Sequence, residues 1–449
     1  MGSTAVEKKF TLLVPRMNNR KIFPFEIAFI FFALYLLFFT RMPNVPLEED
    51  EIYYIAASPQ LEEWVNLETD AESWQINYWT LSAPALPKYI IAIGRLLGGY
   101  QRDELLIPYD NTISYQENVL AGNVPSDKLL MASRAPMVIL AVLTGLLIYI
   151  LLLKGIGRFA AIIWLALFAS NPSLDRILLP AMSEPPMLFF SVLAFILIFM
   201  GLKRLHYFLE QGADNAKMAR IYLSFFVAGL SLGLAAASKI NAFMLLIPFG
   251  ILLIYSIFVP YSPVPVKLKI AYLIRIFGIC SLSALIIFII LNPSLYLNPI
   301  RGLGWMFQFR INAMEWQIPR NPQFISIPII QRWIKILQDL VTTNASIRGS
   351  LGLYINSGLA LFGLTLLIHS VVTSIKRRLP LELLPSIMVY FSIMIIAAFM
   401  SPLDWLRYFL FPIIGLMLLN SYSAAFLMEK VLLFAMKKSQ KPQVDSTAG

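Results

Sequence analysis

Long apolar runs separated by short charged connections are the feature that most constrains how this chain can fold. Each run approaches the ~20 residues that an α-helix needs to cross the hydrocarbon core of a bilayer. Apolar residues make up 58% of the 449 residues and charged residues only 14%, against roughly 45–50% and 25% in soluble domains. The pattern predicts an all-α polytopic protein that is integral to a membrane.

We expect about ten transmembrane helices, within a range of 9–12. The predicted helices cover residues 22–41, 129–153, 156–174, 182–202, 219–238, 242–260, 270–291, 351–373, 381–400 and 406–428. The run 156–174 is the shortest of them. A further apolar segment, 84–98, carries Lys88 and Arg95, which favours an interfacial helix whose cations snorkel to the membrane surface.

Basic clusters indicate the orientation of these helices. With ten crossings, all of the clusters fall on one side, which the positive-inside rule assigns to the cytoplasm. They are Lys8 to Lys21, Lys154 with Arg158, Lys203 to Arg220, Lys267 with Lys269, Lys376 to Arg378 and Lys430 to Lys441. Two long loops, 42–128 and 292–350, then lie on the extracytoplasmic side and are expected to carry interfacial helices. The net charge of +10 therefore reflects topology, and no nucleic-acid partner is expected.

The same pattern divides the chain into segments. They are a cytoplasmic basic arm 1–21, a transmembrane module 22–291 that includes loop 42–128, a second extracytoplasmic loop 292–350, C-terminal transmembrane helices 351–428, and a cytoplasmic tail 429–449 that is expected to be disordered. The first run lacks a small-residue cleavage site after it, so we interpret it as a retained anchor. The single cysteine, Cys280, lies in an apolar run, which indicates packing. The absence of a eukaryotic targeting feature favours a bacterial plasma membrane.

Ionisable residues gather at the predicted extracytoplasmic ends of the helices. Such residues are costly at membrane depth and are functional candidates by default. The stretch "PLEEDEIYY" places Asp50 and Glu51 directly after the first run, and the others are Lys88, Glu184, Lys239 and Arg407. Acids and bases on one face could bind an anionic lipid head and deprotonate a second substrate.

Each of these residues also has a structural interpretation. The acidic stretch can be a solvated cap, and Glu184 can be a helix N-terminal acid favoured by the helix dipole. Lys239 can be an ordinary turn residue between two helices. Arg407 can form a structural ion pair with Asp404, three residues earlier in the sequence.

Six short motifs in order resemble those of the GT-C superfamily of membrane glycosyltransferases. They are "EEDEIYYIAAS", "APALPKYIIAIGR", "SRAPMVILAVLTGLLIY", "AMSEPPMLFF", "ASKINAF" and "DWLRYFLFP". The chain is most similar to the branch that holds protein O-mannosyltransferases and lipid A aminoarabinose transferases, which use polyprenyl-phosphate-linked sugars. The similarity covers about residues 25 to 415. Ala83 stands where protein mannosyltransferases often have His, so the resemblance leaves the acceptor open.

The resemblance implies an inverting transfer of a sugar from a polyprenyl-phosphate donor to a glycan, lipid or protein acceptor on the extracytoplasmic side. It implies that Asp50 is the general base, and that Glu51 and Glu184 assist it. Adjacent carboxylates raise one another's pKa, which suits a base. The expected donor-phosphate ligands are Lys88, Lys239 and Arg407, the expected accessory residues are Tyr53, Tyr54, Arg134 and Tyr408, and Asp50 with Glu184 would hold a divalent cation if one is used.

Two other classes of function remain open from the sequence. A transporter or flippase for a lipid-linked or small solute would also be polytopic with buried charges. A non-catalytic subunit that binds a polyprenyl lipid would use the acidic loop only as structure. The gathering of candidates at one face disfavours transport, because transport sites usually lie near the membrane midplane.

Overall fold

The computed structural model describes residues 23–68, 74, 78–105, 109–110, 112–211, 215–258, 262 and 264–439, and these residues contain no strand. The α-helices are α1 Pro24–Arg41, α2 Glu49–Ala56, α3 Gln60–Val65, α4 Tyr78–Ser82, α5 Leu86–Leu97, α6 Tyr115–Leu120, α7 Asp127–Gly155, α8 Arg158–Ser170, α9 Pro172–Leu178, α10 Glu184–Gln211, α11 Asn215–Ser238, α12 Leu246–Phe258, α13 Val266–Leu291, α14 Pro299–Gln317, α15 Pro322–Ser326, α16 Ile329–Val341, α17 Gly349–Arg377, α18 Leu383–Met400 and α19 Leu410–Ser439. Short 3-10 helices cover Met42–Asn44, Arg102–Leu105, Ile240–Leu245, Pro293–Leu295, Ile318–Arg320 and Leu406–Phe409. The predicted basic arm 1–21 lies outside the described residues.

Within the described part of the chain, nine helical segments are long and apolar enough to cross a membrane. They are Pro24–Asn44, Asp127–Gly155, Glu184–Glu210, Met218–Ser238, Ile240–Phe258, Val266–Leu291, Gly349–Arg377, Leu383–Met400 and Leu406–Met436. Nine of the ten predicted runs correspond to these segments. The prediction of an all-α polytopic membrane protein is confirmed.

The remaining predicted run, 156–174, forms the 13-residue helix α8. At 1.5 Å per residue it is about 20 Å long, shorter than the ~30 Å hydrocarbon core. Ion pairing at one end joins Arg158 to Glu26 at the start of α1, with 2.9 Å between Nη2 and Oε2. At the other end, Arg41 of α1 donates to the Ala169 carbonyl at 2.6 Å. The short helix therefore runs parallel to α1 and returns the chain to the end of the bundle where α10 begins.

The helix α11 packs against both α10 and α13. Glycines allow α11 and α13 to approach closely: a Cβ atom on Gly229 would overlap the backbone of Cys280, and one on Gly233 would overlap Ala284. Cys280 is fully buried in this interface, which agrees with the packing role expected for it.

The segment 84–98 is helical as predicted, but its two cations differ from their prediction. It forms α5, which packs against α7 so closely that a Cβ atom on Gly94 would overlap the Ala132 carbonyl and the Pro136 ring. Its two cations are 0–2% exposed and do not snorkel. Arg95 donates to Ser58 at 2.7 Å and also bonds to Glu62, so this side chain is satisfied by neighbouring loop residues.

The C-terminal segment also differs from its prediction. The last helix, α19, continues to Ser439, so residues 429–439 are helical and not disordered. The helix continues because the run "MEKVLLFAMKK" contains mainly good helix formers and no Gly or Pro. Residues 440–449 lie outside the described residues.

Candidate active site

A buried ion pair holds the acidic stretch in place. The Glu51 carboxylate, which is 0% exposed, accepts hydrogen bonds from Arg134 Nε at 2.8 Å and Nη2 at 2.6 Å, and from the backbone N–H of Ala181 at 2.7 Å. Arg134 also donates to three backbone carbonyls between α1 and α2. This clamp, formed by Glu51 and Arg134, ties the start of α2 to α7 and to the turn before α10, and so positions Asp50.

Two further ion pairs lie beside the clamp. Asp50 pairs with Arg407, which stands in the 3-10 helix before α19. Glu184 at the start of α10 pairs with Lys239 just after α11, with 2.6 Å between Oε1 and Nζ. Arg407 also interacts electrostatically with Glu184. The four side chains therefore form one electrostatically coupled group at the ends of four separate helical segments.

A cavity of about 560 Å³ exposes this group. Its walls carry four carboxylates and four cations. They are Glu48, Glu49, Asp50 and Glu184, and Arg176, Lys239, Arg310 and Arg407. Such a cavity offers carboxylates that can accept a proton and cations that can hold a phosphate.

Aromatic residues complete the cavity wall. The Arg407 guanidinium lies 4.6 Å from the centre of the Trp405 ring, and Trp405 stacks on Tyr408 at 5.7 Å between ring centres. Tyr54 also lines the cavity. Burial, and then the Glu184 carboxylate, raises the pKa of the Tyr54 phenol, so its hydroxyl stays protonated and can donate at neutral pH.

The structure brings together five of the residues predicted from sequence: Asp50, Tyr54, Glu184, Lys239 and Arg407 all line the cavity. Other predicted residues lie outside its lining. Glu51 and Arg134 form the clamp, Tyr53 contacts Tyr109 with 6.4 Å between ring centres, and Tyr408 lies beneath Lys239 at 5.7 Å. These residues contact neighbouring side chains and do not form the surface of the cavity.

Lys88 is also outside the cavity lining. It is 2% exposed, and no described residue forms an ion pair with it. Burial lowers the pKa of its ammonium group to about 7. Its expected role in binding the donor phosphate stays a prediction.

The structural alternative for Arg407 is wrong. Asp404, the neighbour in sequence, instead accepts from Lys335, with 3.4 Å between Oδ2 and Nζ, and from Asn321. Arg407 instead donates to the Asp50 carboxylate, which is 357 positions away in the sequence.

Sequence reasoning missed several residues of the cavity. Arg310 and Gln317 come from α14 in the second loop, and Arg176 comes from α9. These residues belong to no motif. Arg310 and Arg176 carried one signal, a charge on a predicted extracytoplasmic segment, and Gln317 carried none. Glu48 was considered only as a neighbour of Asp50. Burial raises the pKa of the Glu48 carboxyl, although Arg407 opposes the rise.

The two carboxylates that would hold a divalent cation are each paired with a cation of the protein. Arg407 neutralises Asp50 and Lys239 neutralises Glu184, so both carboxylates already have a positive partner. In the part of the chain that the structure describes, no group of three His, Cys, Asp or Glu side chains could hold a metal ion.

A family model described as dolichyl-phosphate-mannose-protein mannosyltransferase matches residues 51–298, which is more than half of the chain. The chain belongs to this family. The expected resemblance to the GT-C superfamily is thereby confirmed. The match includes Glu184 and Lys239 but ends before Arg407.

Solved structures with a similar fold include the Archaeoglobus fulgidus oligosaccharyltransferase. Its apo form matches with a TM-score of 0.54 and 14% identity over 92% of this chain and 52% of that chain. The form tethered to an acceptor peptide containing the NVT sequon matches with a TM-score of 0.53 and 14% identity over 92% and 50%. This chain thus spans about half the length of those proteins, and the likeness shows a shared fold.

A lower similarity is to the S. cerevisiae protein O-mannosyltransferase Pmt1-Pmt2 complex bound to the sugar donor. The TM-score is 0.40 and the identity 19%, over 62% of this chain and 35% of that chain. No inference about this chain is drawn from it. None of the curated proteins matches the chain.

Proposed function

We propose that this protein is an inverting glycosyltransferase that moves a sugar from a polyprenyl-phosphate donor to an acceptor at the extracytoplasmic face of a membrane. The observation that carries the proposal is the pair Asp50–Arg407 beside the pair Glu184–Lys239 in one cavity. A phosphate-linked sugar already has a good leaving group. The reaction then needs a base for the acceptor and cations for the departing phosphate, and the cavity provides both.

The reaction follows from these roles. The acceptor hydroxyl oxygen attacks the anomeric carbon while the bond from that carbon to the phosphate oxygen breaks. Asp50 takes the hydroxyl proton, and the phosphate leaves with the bonding electron pair. Arg407 and Lys239 stabilise its growing charge. A single displacement inverts the anomeric centre.

The resting ion pairs suggest how donor binding prepares the base. Arg407 pairs with Asp50 in the cavity. An arriving phosphate competes for the guanidinium, which can bind it bidentately. Donor binding then releases the Asp50 carboxylate to accept a proton from the acceptor.

The position of the cavity supports a lipid-linked donor. Its charged residues stand at helix ends: Glu184 begins α10 and Lys239 follows α11. A phosphate would lie at headgroup depth while a prenyl tail remains in the bilayer. Transport sites instead lie near the midplane, often at broken helices. The family description names a dolichyl-phosphate-mannose donor and a protein acceptor, so a polyprenyl-phosphate mannose is the first donor to test.

The test uses the full chain reconstituted in bilayer discs with a radiolabelled polyprenyl-phosphate mannose and peptide, glycan and lipid acceptors. Product formation with inverted configuration supports the proposal. Asp50→Asn should lower transfer by at least ~100-fold, because it removes the base. The matched control is Glu68→Gln on the same loop, which is exposed and outside the cavity lining and should keep near-normal activity.

Three results would overturn the proposal. Full activity of the Asp50→Asn variant removes Asp50 as the base. Movement of the labelled lipid between leaflets of a vesicle without a covalent product favours a flippase. Donor binding without transfer to any acceptor class favours a non-catalytic subunit.

A further inference from the structure

A second cavity, of about 640 Å³, lies between α10 and α11. It stands at the end of this hairpin that is remote from the candidate active site. About 28 Å of α10 separate Glu184 from Lys203, which is close to the ~30 Å hydrocarbon thickness of a bilayer. This groove, which we name the basic groove, therefore lies level with the headgroups of the opposite leaflet.

Three cations line the basic groove: Lys203 and Arg204 from α10, and Arg220 from α11. Arg204 Nη1 donates to Ser224 Oγ at 2.6 Å, and Ser224 Oγ donates to the Arg220 carbonyl at 2.9 Å. Among the described residues, none of the three cations forms an ion pair with a carboxylate. Within the described part of the chain, the groove thus carries three cations and no carboxylate.

Glu210, at the same end of α10, lies 3.0 Å from His206, measured between Oε1 and Nε2, and does not line the groove. Lys203 Nζ also lies over the Phe199 ring, 4.5 Å from its centre. No described carboxylate lines the groove, so its three cations can contact an anion from outside the protein.

The rest of the groove is apolar. Leu223 is 61% exposed and Val227 is 38% exposed on α11, and both line the groove below Arg220. Val227 lies about two helical turns from Arg220, toward the membrane centre. The groove thus has cations at the headgroup level and an open apolar wall that runs into the hydrocarbon region.

We propose that the basic groove binds an anionic phospholipid of the membrane. The headgroup phosphate contacts Arg204, Arg220 and Lys203, and one acyl chain lies along Leu223 and Val227. Basic pockets between membrane helices are suited to acidic lipid heads. A soluble anion would use the cations but would gain nothing from the apolar wall. This site is at the opposite membrane face from the proposed donor site and does not depend on the proposed reaction.

The test is native mass spectrometry of the full chain in detergent, titrated with phosphatidylglycerol and, separately, with phosphatidylcholine. We expect phosphatidylglycerol to bind about tenfold more tightly. The variant Lys203→Gln/Arg220→Gln should lose this preference, since it removes two exposed cations and spares the bond from Arg204 to Ser224. Arg220→Lys should retain the preference because it keeps the charge.

The matched control is Lys376→Gln/Arg377→Gln, which removes two cations from the end of α17 outside the groove. It should keep the wild-type preference for phosphatidylglycerol. Equal binding of both lipids to the wild type would overturn the proposal. So would an equal loss in the groove variant and the control, because the preference would then reflect overall charge. Full displacement of the lipid by millimolar inorganic phosphate would also overturn it, in favour of a soluble anion. A groove variant that fails to fold is replaced by Arg220→Gln alone, judged by the same outcomes.

Discussion

Replacing Glu51 by Ala should destabilise the segment that begins the candidate site, although Glu51 itself does not line the cavity. Glu51 is 0% exposed and Arg134 is buried with it. The substitution would leave the Arg134 guanidinium without its carboxylate, and would leave the Ala181 N–H without its acceptor. An uncompensated buried charge is the main consequence.

The size of the effect can be worked from these contacts. Removing one partner of a buried ion pair typically costs about 3–5 kcal/mol. The three backbone carbonyls that Arg134 also contacts hold part of its charge and favour the lower end of this range. The orphaned Ala181 N–H adds about 1–3 kcal/mol. We expect a loss of about 4 kcal/mol, which is a large part of the stability of an ordinary domain.

The single cysteine provides the assay. Cys280 is the one cysteine of the chain and is 0% exposed, so a thiol-reactive fluorophore reports unfolding as temperature or denaturant increases. Glu49→Ala is the matched control, since Glu49 is exposed on the same short helix and should change stability by less than ~0.5 kcal/mol. A loss below ~1 kcal/mol for Glu51→Ala would refute the clamp. Partial recovery in Glu51→Met/Arg134→Met would support it, because removing both charges leaves neither unpaired.

Three further predictions concern other parts of the molecule. Lys88→Met should raise stability by about 2–4 kcal/mol below pH 7, where the buried ammonium is charged. The gain should shrink as pH rises from 7 toward 10.5, because the pKa of Lys88 is about 7 in the folded protein and close to 10.5 in the unfolded chain. A gain in the thermal unfolding temperature that does not depend on pH would contradict this. If Lys88 also binds donor phosphate, the same variant should lose transfer activity while it gains stability. Arg310→Gln should weaken apparent donor affinity about tenfold with a smaller effect on kcat, and an unchanged affinity would remove Arg310 from the phosphate site. Gly94→Ala should lower the thermal unfolding temperature and cost about 1–3 kcal/mol of stability, because the added Cβ overlaps the Ala132 carbonyl. An unfolding temperature equal to that of the wild type would show that α5 can move away from α7.

Sequence alone was sufficient for nine of the ten predicted membrane helices and for four charged residues of the cavity. Runs of apolar residues must become helices in a bilayer, because every backbone group has to be bonded within the segment. Ionisable residues at the ends of those runs are costly unless they are paired or used. These are local rules, and they located Asp50, Glu184, Lys239 and Arg407 before their arrangement was known.

Local rules failed where packing supplies what the sequence lacks. α8 is too short to be recognised with confidence from hydropathy alone, and its direction follows from Arg41 and Glu26 of α1. Lys88 and Arg95 were expected to reach the surface, yet α7 and the adjoining loop bury them. Arg310 joined the cavity because the second loop folds over it, which no sequence spacing encodes.

Only the tertiary structure decided which cation each acid contacts in the stretch "PLEEDEIYY". The sequence placed four neighbouring carboxylates outside the membrane and could rank them only by resemblance. On a helix, successive side chains point about 100° apart, so adjacent acids cannot face the same partner. Packing of α2 against α7 turns Glu51 inward to Arg134 and leaves Asp50 facing the cavity and Arg407. Which carboxylate meets which cation depends on contacts between residues distant in the chain, and those contacts exist only in the folded protein.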